Sequence, residues 1–505
     1  MNIVSAERQF CKSQAVFERM IRFVDKASDR QLRVDQVERE LFNQLLLLGF
    51  ELLKVFIRKA GDGNEGREVV CDGRRLKRSA AKKPKLYRSI FGVISVVRYV
   101  YATRAKQKAE YLPVDQRLGL PKGEHSYVLE DWLQRMCVQN AFSHAIKSLG
   151  DLLGWTVSTR TAERMNRDLA EHAEPFRMQQ AATKEEEEEI LIVTADGKGV
   201  PMRRPLEERA ASKSAVPAWR KHHQKQQAAK DSKQTSKRLA KGGKRGKKQM
   251  AYVGAVYSIR RWKRSADDVV DELCRRESAR ARPRPTNKRV WAEMTRYDQD
   301  EFEHAQPRLF AGLAYEVHQR DPEQERTLVC LMDGQRSLWC MKKEWLSRAI
   351  PVLDIFHATE RLWKAAYCFH RESSKEAEAF VTHYLAMMLN GKIGHLIGVF
   401  KRKLGSLAGV KKKELAKVIK FFENNREYMK YDHYLARGFP IGSGVVEGAC
   451  RHLVRDRMEC TGMRWELAGA QAMLNTRSVY LADEWKPFIE YRIENEQNEL
   501  YGQAV

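Results

Sequence analysis

The chain of 505 residues carries 92 Lys and Arg against 66 Asp and Glu, a formal net charge of +26, and is 43% hydrophobic. The apolar content excludes a wholly disordered chain, the length suggests about two to four domains at roughly 150 residues each, and the charge points to a polyanionic partner, nucleic acid first. Nine scattered cysteines with no CxxC pair exclude a zinc ribbon or a disulfide scaffold and indicate a reducing, intracellular compartment.

The opening MNIVSAERQF lacks the basic start and apolar run of a signal peptide. The most apolar stretch, Leu41 to Ile57, is interrupted by Asn43, Gln44, Glu51 and Lys54 and falls short of a membrane span, so no membrane partner is expected. Residues 34 to 57 have helical spacing, with Val34, Val37, Leu41, Leu48, Leu52 and Phe56 on one face, read as packed into a small N-terminal domain. SIFGVISVVRYVY (89–101) reads as one strand, with EVVC (68–71) as its partner. A helix is expected over about Ser126 to Leu153, broken at Gly154 and Trp155. Ser158 or Thr159 then caps a second helix bearing Arg160, Arg164 and Arg167. Helix, short turn and Arg-bearing helix is the outline of a helix-turn-helix, and equally of an ordinary helical hairpin.

EEEEE (185–189) reads as a solvated linker. ILIVTAD (190–196) is an apolar run ending in an Asp, as in a buried strand. Residues 201 to 250 hold 16 Lys and Arg against three acids, so half of the net charge sits in a tenth of the length, read as a flexible basic loop between two strands. MAYVGAVYSI (250–259) is a strand, 265–280 a helix, 280–288 a Pro-broken loop and 298–318 a helix. TLVCLMD (327–333) and PVLDIFH (351–357) are two more apolar runs delivering an Asp, with a short helix near Leu338 to Ile350 between them. From about Ala358 to Tyr434 the chain reads as helical, with a basic patch at Lys401 to Lys413. GFPIGSGVVEGACRHLVRDRM (438–458) is then a Gly-rich turn running into a helix. Strands alternating with helices indicate an α/β core.

Three acids stand apart from packing: Asp196 and Asp333 at strand ends, and Glu447 in the first turn of a helix. One such Asp alone is as easily a turn or cap residue. Together, in a strongly basic protein, they suggest carboxylates holding Mg²⁺ beside a phosphodiester, because Mg²⁺ takes oxygen ligands and two ions about 3.5–4 Å apart serve in-line displacement at phosphorus. Asp354, also at a strand end, either replaces Asp333 as the second ligand, or orients His357, or caps the helix behind it. Lys198 is placed to meet a phosphate, and Arg451 and Arg455, four and eight residues after Glu447, are read as sharing its helix face. Arg457, Trp363 and Trp465 are weaker candidates, since tryptophans at helical spacing are usually core.

The segments ILIVTADGKGVPMRR, VCLMDGQRSLW, PVLDIFHATERLWKAA and FPIGSGVVEGACRHLVRDRMECTGMRW resemble, in order and wording, the successive motifs of bacterial insertion-sequence DDE transposases of the ISKra-type family. The resemblance covers roughly 190 to 480 and is looser before that. It implies an α/β protein whose RNase H-like (retroviral-integrase-like) catalytic core carries a helical insertion and follows a mainly helical N-terminal DNA-binding region. It places the catalytic, metal-holding acids on Asp196, Asp333 and Glu447, with Asp354 and His357 as an auxiliary Asp-x-x-His motif. It implies Mg²⁺ or Mn²⁺, two ions, as cofactor. The implied partners are double-stranded DNA, as the element's terminal inverted repeats and the target, and further copies of the chain in a cytoplasmic homo-oligomer. Many such proteins have a Cys-rich N-terminal zinc site, but with Cys71 and Cys137 far apart no zinc is expected here.

The implied organisation is an N-terminal domain (1–120), a helix-turn-helix-like region (121–180), a core built from 190–357 and 438–480, a helical insertion (358–437) and a C-terminal helix (481–505). Lys198, Arg451, Arg455, Arg160, Arg164 and Arg167 are the expected DNA contacts. Two rival functions remain: a nuclease on the same core without strand transfer, and a non-catalytic DNA-binding regulator.

Overall fold

A computed structural model describes residues 3–71, 73–104, 107–179, 187–203, 248–273, 281–298, 301–460 and 462–502. Most of the basic loop, the linker before 187 and the end of the 265–280 segment lie outside the described residues. The chain forms two compact units, one of residues 1–172 with 485–505 and the other of residues 173–484. The segments 1–120, 121–172 and the C-terminal helix therefore belong to one unit. Among the described residues no helix is long and apolar enough to cross a membrane.

The first unit opens with two long helices, Ile3–Asp29 and Val34–Lys59. Strands β1 (Glu68–Cys71), β2 (Arg74–Arg78) and β5 (Tyr101–Ala102) form one small antiparallel sheet, and β3 (Lys83–Ser89) and β4 (Gly92–Arg98) form a separate hairpin. The expected pairing of 68–71 with 89–101 is thus replaced by two local hairpins, and the single strand over 89–101 is divided. The reason lies at Gly92, whose φ of 134° lets the chain reverse within two residues of Ser89.

The expected helix over 126–153 is two helices, Tyr127–Cys137 and Phe142–Leu153. Its buried face runs Leu129, Leu133, Cys137 and then resumes at Ala145, out of phase, so one straight helix cannot bury both halves. Gly154, in the left-handed region at φ 72°, ends the second helix, and Ser158 caps the third (Thr159–Ala170) by accepting from the Thr161 amide. The three helices close on one core containing Leu133, Ile146, Leu149, Ala162 and Met165.

The C-terminal helix Trp485–Tyr501 completes this unit, and its Arg492 donates to Glu130 at 2.8 Å. Burial pushes the Glu130 carboxyl up to about 7, against the pull of Arg492 and with the added repulsion of Glu496 and Asp168. The fold thus favours the protonated form. Its stabilisation is fully present below the ordinary carboxyl range and is lost as pH rises through about 7. Glu130→Gln is expected to flatten the pH dependence of unfolding between pH 5 and 8 by on the order of 2–3 kcal/mol, read from urea midpoints. An unchanged slope would refute it.

The second unit is an α/β structure around a mixed five-stranded sheet in the order β12-β11-β6-β7-β8. Here β6 is Ile190–Pro201, β7 Lys248–Ile259, β8 Thr286–Met294, β11 Thr327–Met332 and β12 Ile350–Leu353. β6, β7 and β8 run antiparallel in sequence, while β11 and β12 lie parallel to β6 and to each other. Ile190 to Val193 are fully buried, as expected of a central strand covered on both faces.

β8 was not anticipated. It is one of the two edge strands, and the helix Leu467–Leu481 covers it, with Gln471 accepting from the Met294 amide and donating to the Ala292 carbonyl. The expected helix over 298–318 starts only at Ala305, after a two-stranded ribbon of β9 (Arg296–Asp298) and β10 (Glu301–Glu303). The helical block after β12 shares one continuous core with the sheet, from Ile192 and Val329 to Leu385, Phe400 and Phe422, and has no separate core of its own.

Candidate active site

The register of the parallel strands positions the acids. Ala195 pairs with Met332, and Met332 pairs with Leu353. The next row therefore holds Asp196, Asp333 and Asp354, one from each neighbouring strand. Asp196 is not at the end of its strand, as the sequence suggested, because β6 continues to Pro201. It sits where the parallel partner stops, so that beyond it β6 is paired only with β7. Asp333 and Asp354 leave their strands at this row, at the carboxyl ends where open α/β sheets place ligands.

Each carboxylate is held differently. Oδ1 of Asp196 accepts from the Gly197 amide at 2.6 Å, and Oδ2 faces the buried Cys450 thiol at 3.5 Å. Oδ1 of Asp333 accepts from the Gln335 amide at 2.9 Å in a turn through Gly334. Gly334 has φ 95°, and a Cβ there would press on Leu353 and Asn425, so the turn requires glycine. Asp354 is fully buried. Its Oδ1 accepts from the Phe356 amide at 2.9 Å, capping the helix Ile355–Phe369, and its Oδ2 accepts from the Ser443 hydroxyl. Both oxygens of Asp354 are thus engaged by the protein, which favours its capping and orienting role.

Glu447 is exposed in the first turn of the helix Gly444–Ala449. The ligand atoms of Asp354, His357 and Glu447 lie within 4.8 Å of one another. Asp333 and Asp196 adjoin that group electrostatically. Burial first, then the charges of Asp196 and Asp354, raises the Asp333 carboxyl, with His357 opposing. Burial, then Asp354 and Asp196, raises Glu447, again with His357 opposing. Asp196 and Asp333 thus lie within electrostatic reach of the Asp354, His357 and Glu447 group, and repulsion among the carboxylates adds to burial in raising Asp333 and Glu447. This all-oxygen-and-imidazole donor set fits an oxygen-preferring divalent cation, which would relieve that repulsion.

Among the expected phosphate contacts, Lys198 is half-buried, two residues past Asp196 on the same side of β6, and its charge reaches the Cys450 thiol. Arg451 and Arg455 are exposed, but the α-helical face assigned to them with Glu447 needs correction. Cys450–Arg455 is a π-helical segment, in which residues four apart no longer stack as in an α-helix. Arg451 leans toward Asp456 at 3.7 Å. Arg457 is fully buried over the Trp465 ring, whose own Nε1 donates to the Met458 carbonyl, so both are packing residues. Trp363 packs half-buried against the core beside Tyr367. Arg160, Arg164 and Arg167 lie exposed on one face of the helix Thr159–Ala170 in the other unit.

Three residues of this region were not singled out from the sequence. Ser443 was read only as part of a turn, and Cys450 only as a free thiol. Arg477 holds the π-segment: buried in the helix Leu467–Leu481, it donates through Nε to the His452 carbonyl at 2.7 Å, a group that the widened helix leaves without its α-helical partner. A lone cation in an otherwise uncharged apolar helix was the available signal. The chain matches no protein-family model and no curated protein.

Proposed function

We propose that the protein is a DNA transposase of the DDE type, with an RNase H-like core that cleaves element ends and joins them to target DNA. The observation that carries this reading is the single register row of Asp196, Asp333 and Asp354, joined by Glu447 from a helix, in a chain of net charge +26. The antiparallel-then-parallel sheet and the helical block before Glu447 support the RNase H-like core with an insertion.

Asp196, Asp333 and Glu447 are the metal-holding acids in this reading. Bound Mg²⁺ or Mn²⁺, two ions, supplies activation of the attacking hydroxyl and neutralisation of charge on the phosphate. Asp354, locked by Ser443 and the Phe356 amide, is a positioning residue for the first turn of its helix, which carries His357 toward the same centre. Lys198, Arg451 and Arg455 hold the DNA backbone, and Arg160, Arg164 and Arg167 read the duplex from the capped third helix of the tri-helical cluster. Duplex DNA is the partner, as element ends and as target, in the cytoplasm.

The test incubates the purified chain with Mg²⁺, a plasmid and labelled duplexes made from the DNA that flanks its gene. Joining of label to plasmid supports transposition. Cleavage without joining assigns a nuclease instead, and binding without cleavage a DNA-binding regulator.

A further inference from the structure

We infer that the second unit carries a binding site for a small, flat aromatic carboxylate, at the edge of its sheet away from the acid row. A cavity of about 550 Å³ opens there against β8, between the helices Ala173–Gln179, Ala305–Arg320 and Leu467–Leu481. That volume falls within the roughly 300–1,000 Å³ of small-molecule pockets. The acid row lies on β6, β11 and β12, and β7 stands between it and β8, so the cavity is no part of the candidate active site. Trp291, half-buried, and Tyr315, 38% exposed, give it two aromatic surfaces. Ala311 and Gly312 are small residues of the same wall, and a Cβ at Gly312 would meet nothing nearer than the edge of the Trp291 ring, at 3.9 Å.

Unfilled donors select the ligand. Arg177 lines the cavity and is only 9% exposed. Its Nη1 donates to the Val290 carbonyl at 2.7 Å, and its guanidinium lies 5.0 Å over the Trp291 ring. Nε and Nη2 have no hydrogen-bond partner. These two N–H groups form one edge of the guanidinium fork, which matches the two oxygens of a carboxylate. The ion-pair neighbour of Arg177, Glu484, stands 3.9 Å from Nε and is already bonded to Arg289 at 2.6 Å. Both oxygens of Glu316 are taken by Arg289 and Arg320, and Glu174 and Glu293 face Arg308. The acids around the cavity are thus answered by other arginines, and burial draws the Arg177 guanidinium down to about 10 against the pull of Glu484. A buried cation short of hydrogen bonds is costly, and an entering carboxylate would supply them. Trp291 and Asn475 add two donors, since neither the indole N–H nor the Asn475 amide nitrogen has an acceptor among the described residues. Aromatic walls with free donors and a forked cation fit a ring system that carries a carboxylate. This inference does not depend on the transposase reading.

Isothermal titration of the full chain with naphthoate, in the absence of DNA and metal, tests it. Naphthoate is expected to bind with a Kd on the order of 0.1–1 mM. Naphthylmethanol, the same rings without the charge, is expected to bind at least about tenfold more weakly. Gly312→Leu fills the cavity from a helix that favours leucine over glycine. It is expected to keep the melting temperature and to lose naphthoate binding. Arg177→Gln is expected to bring naphthoate down to the affinity of the alcohol. If that variant fails to fold, the alcohol and Gly312→Leu decide. No naphthoate binding by the folded wild type, equal affinity for the alcohol, or binding that folded Gly312→Leu leaves unchanged overturns the assignment.

Discussion

Asp196→Asn is expected to lower metal-dependent strand cleavage by at least about 10²-fold while duplex binding stays within a few-fold of wild type. The amide keeps the shape and the hydrogen bond from the Gly197 amide but removes one of the charges that would hold a divalent ion. The same substitution at Asp333 is expected to do as much. At Asp354 it is expected to act through structure: the amide has one accepting oxygen, which the Phe356 amide takes, so the buried Ser443 hydroxyl loses the acceptor for its proton and stability should fall with activity. Cleavage on a labelled duplex, with melting curves of each variant, separates these roles. Full cleavage by Asp196→Asn would remove the central acid from the proposal. Loss of cleavage by Asp354→Asn at unchanged stability, with Asp333→Asn active, would exchange their roles.

The largest stability effect is expected at Arg289. Its guanidinium, almost fully buried on the edge strand β8, bonds Glu484 at 2.6 Å and Glu316 at 3.0 Å, and Glu316 also accepts from Arg320 at 2.7 Å. The group thereby ties β8 to the helix Ala305–Arg320 and to the end of the second unit. Arg289→Met takes the nearest counter-charge from the buried Glu484 and one of two from Glu316, a loss of about 3–5 kcal/mol that should lower the melting temperature by roughly 5–15 °C. A shift within the error of the melt would mean that the network contributes little to stability.

Arg289 also marks the limit of what the sequence made legible. The strands β6, β11 and β12 stood out because each is a short apolar run closed by an acid, the imprint of a strand buried on both faces. β8 reads TNKRVWAEM, and its cations hid it, because the inward Arg289 is neutralised by acids 27 and 195 residues away. Asp333 and Asp354 were legible as strand ends, but Asp196 was not truly one, and the common register row was hidden because it depends on the pairing of β6 with β11, segments 137 residues apart. The arginines after Glu447 were assigned by α-helical spacing, and the π-segment, stabilised by the remote Arg477, changes that spacing. Over residues 34 to 57 the apolar periodicity was correctly read as helix but wrongly read as packed along that whole face: Val34, Leu52 and Phe56 are exposed.

The shared register row has a kinetic consequence. Asp196, Asp333, Asp354 and Glu447 come from four separate stretches of chain, and only the two parallel pairings align the first three. The pairing of β6 with β11 spans 137 residues and is slow to form, because the loop-closure entropy is lost before the contacts reward it. A one-residue slip in either pairing would also turn one acid to the opposite side of the sheet. The cluster therefore comes into being only with the finished sheet, and a chain still emerging from synthesis, already strongly basic, carries no assembled acid centre.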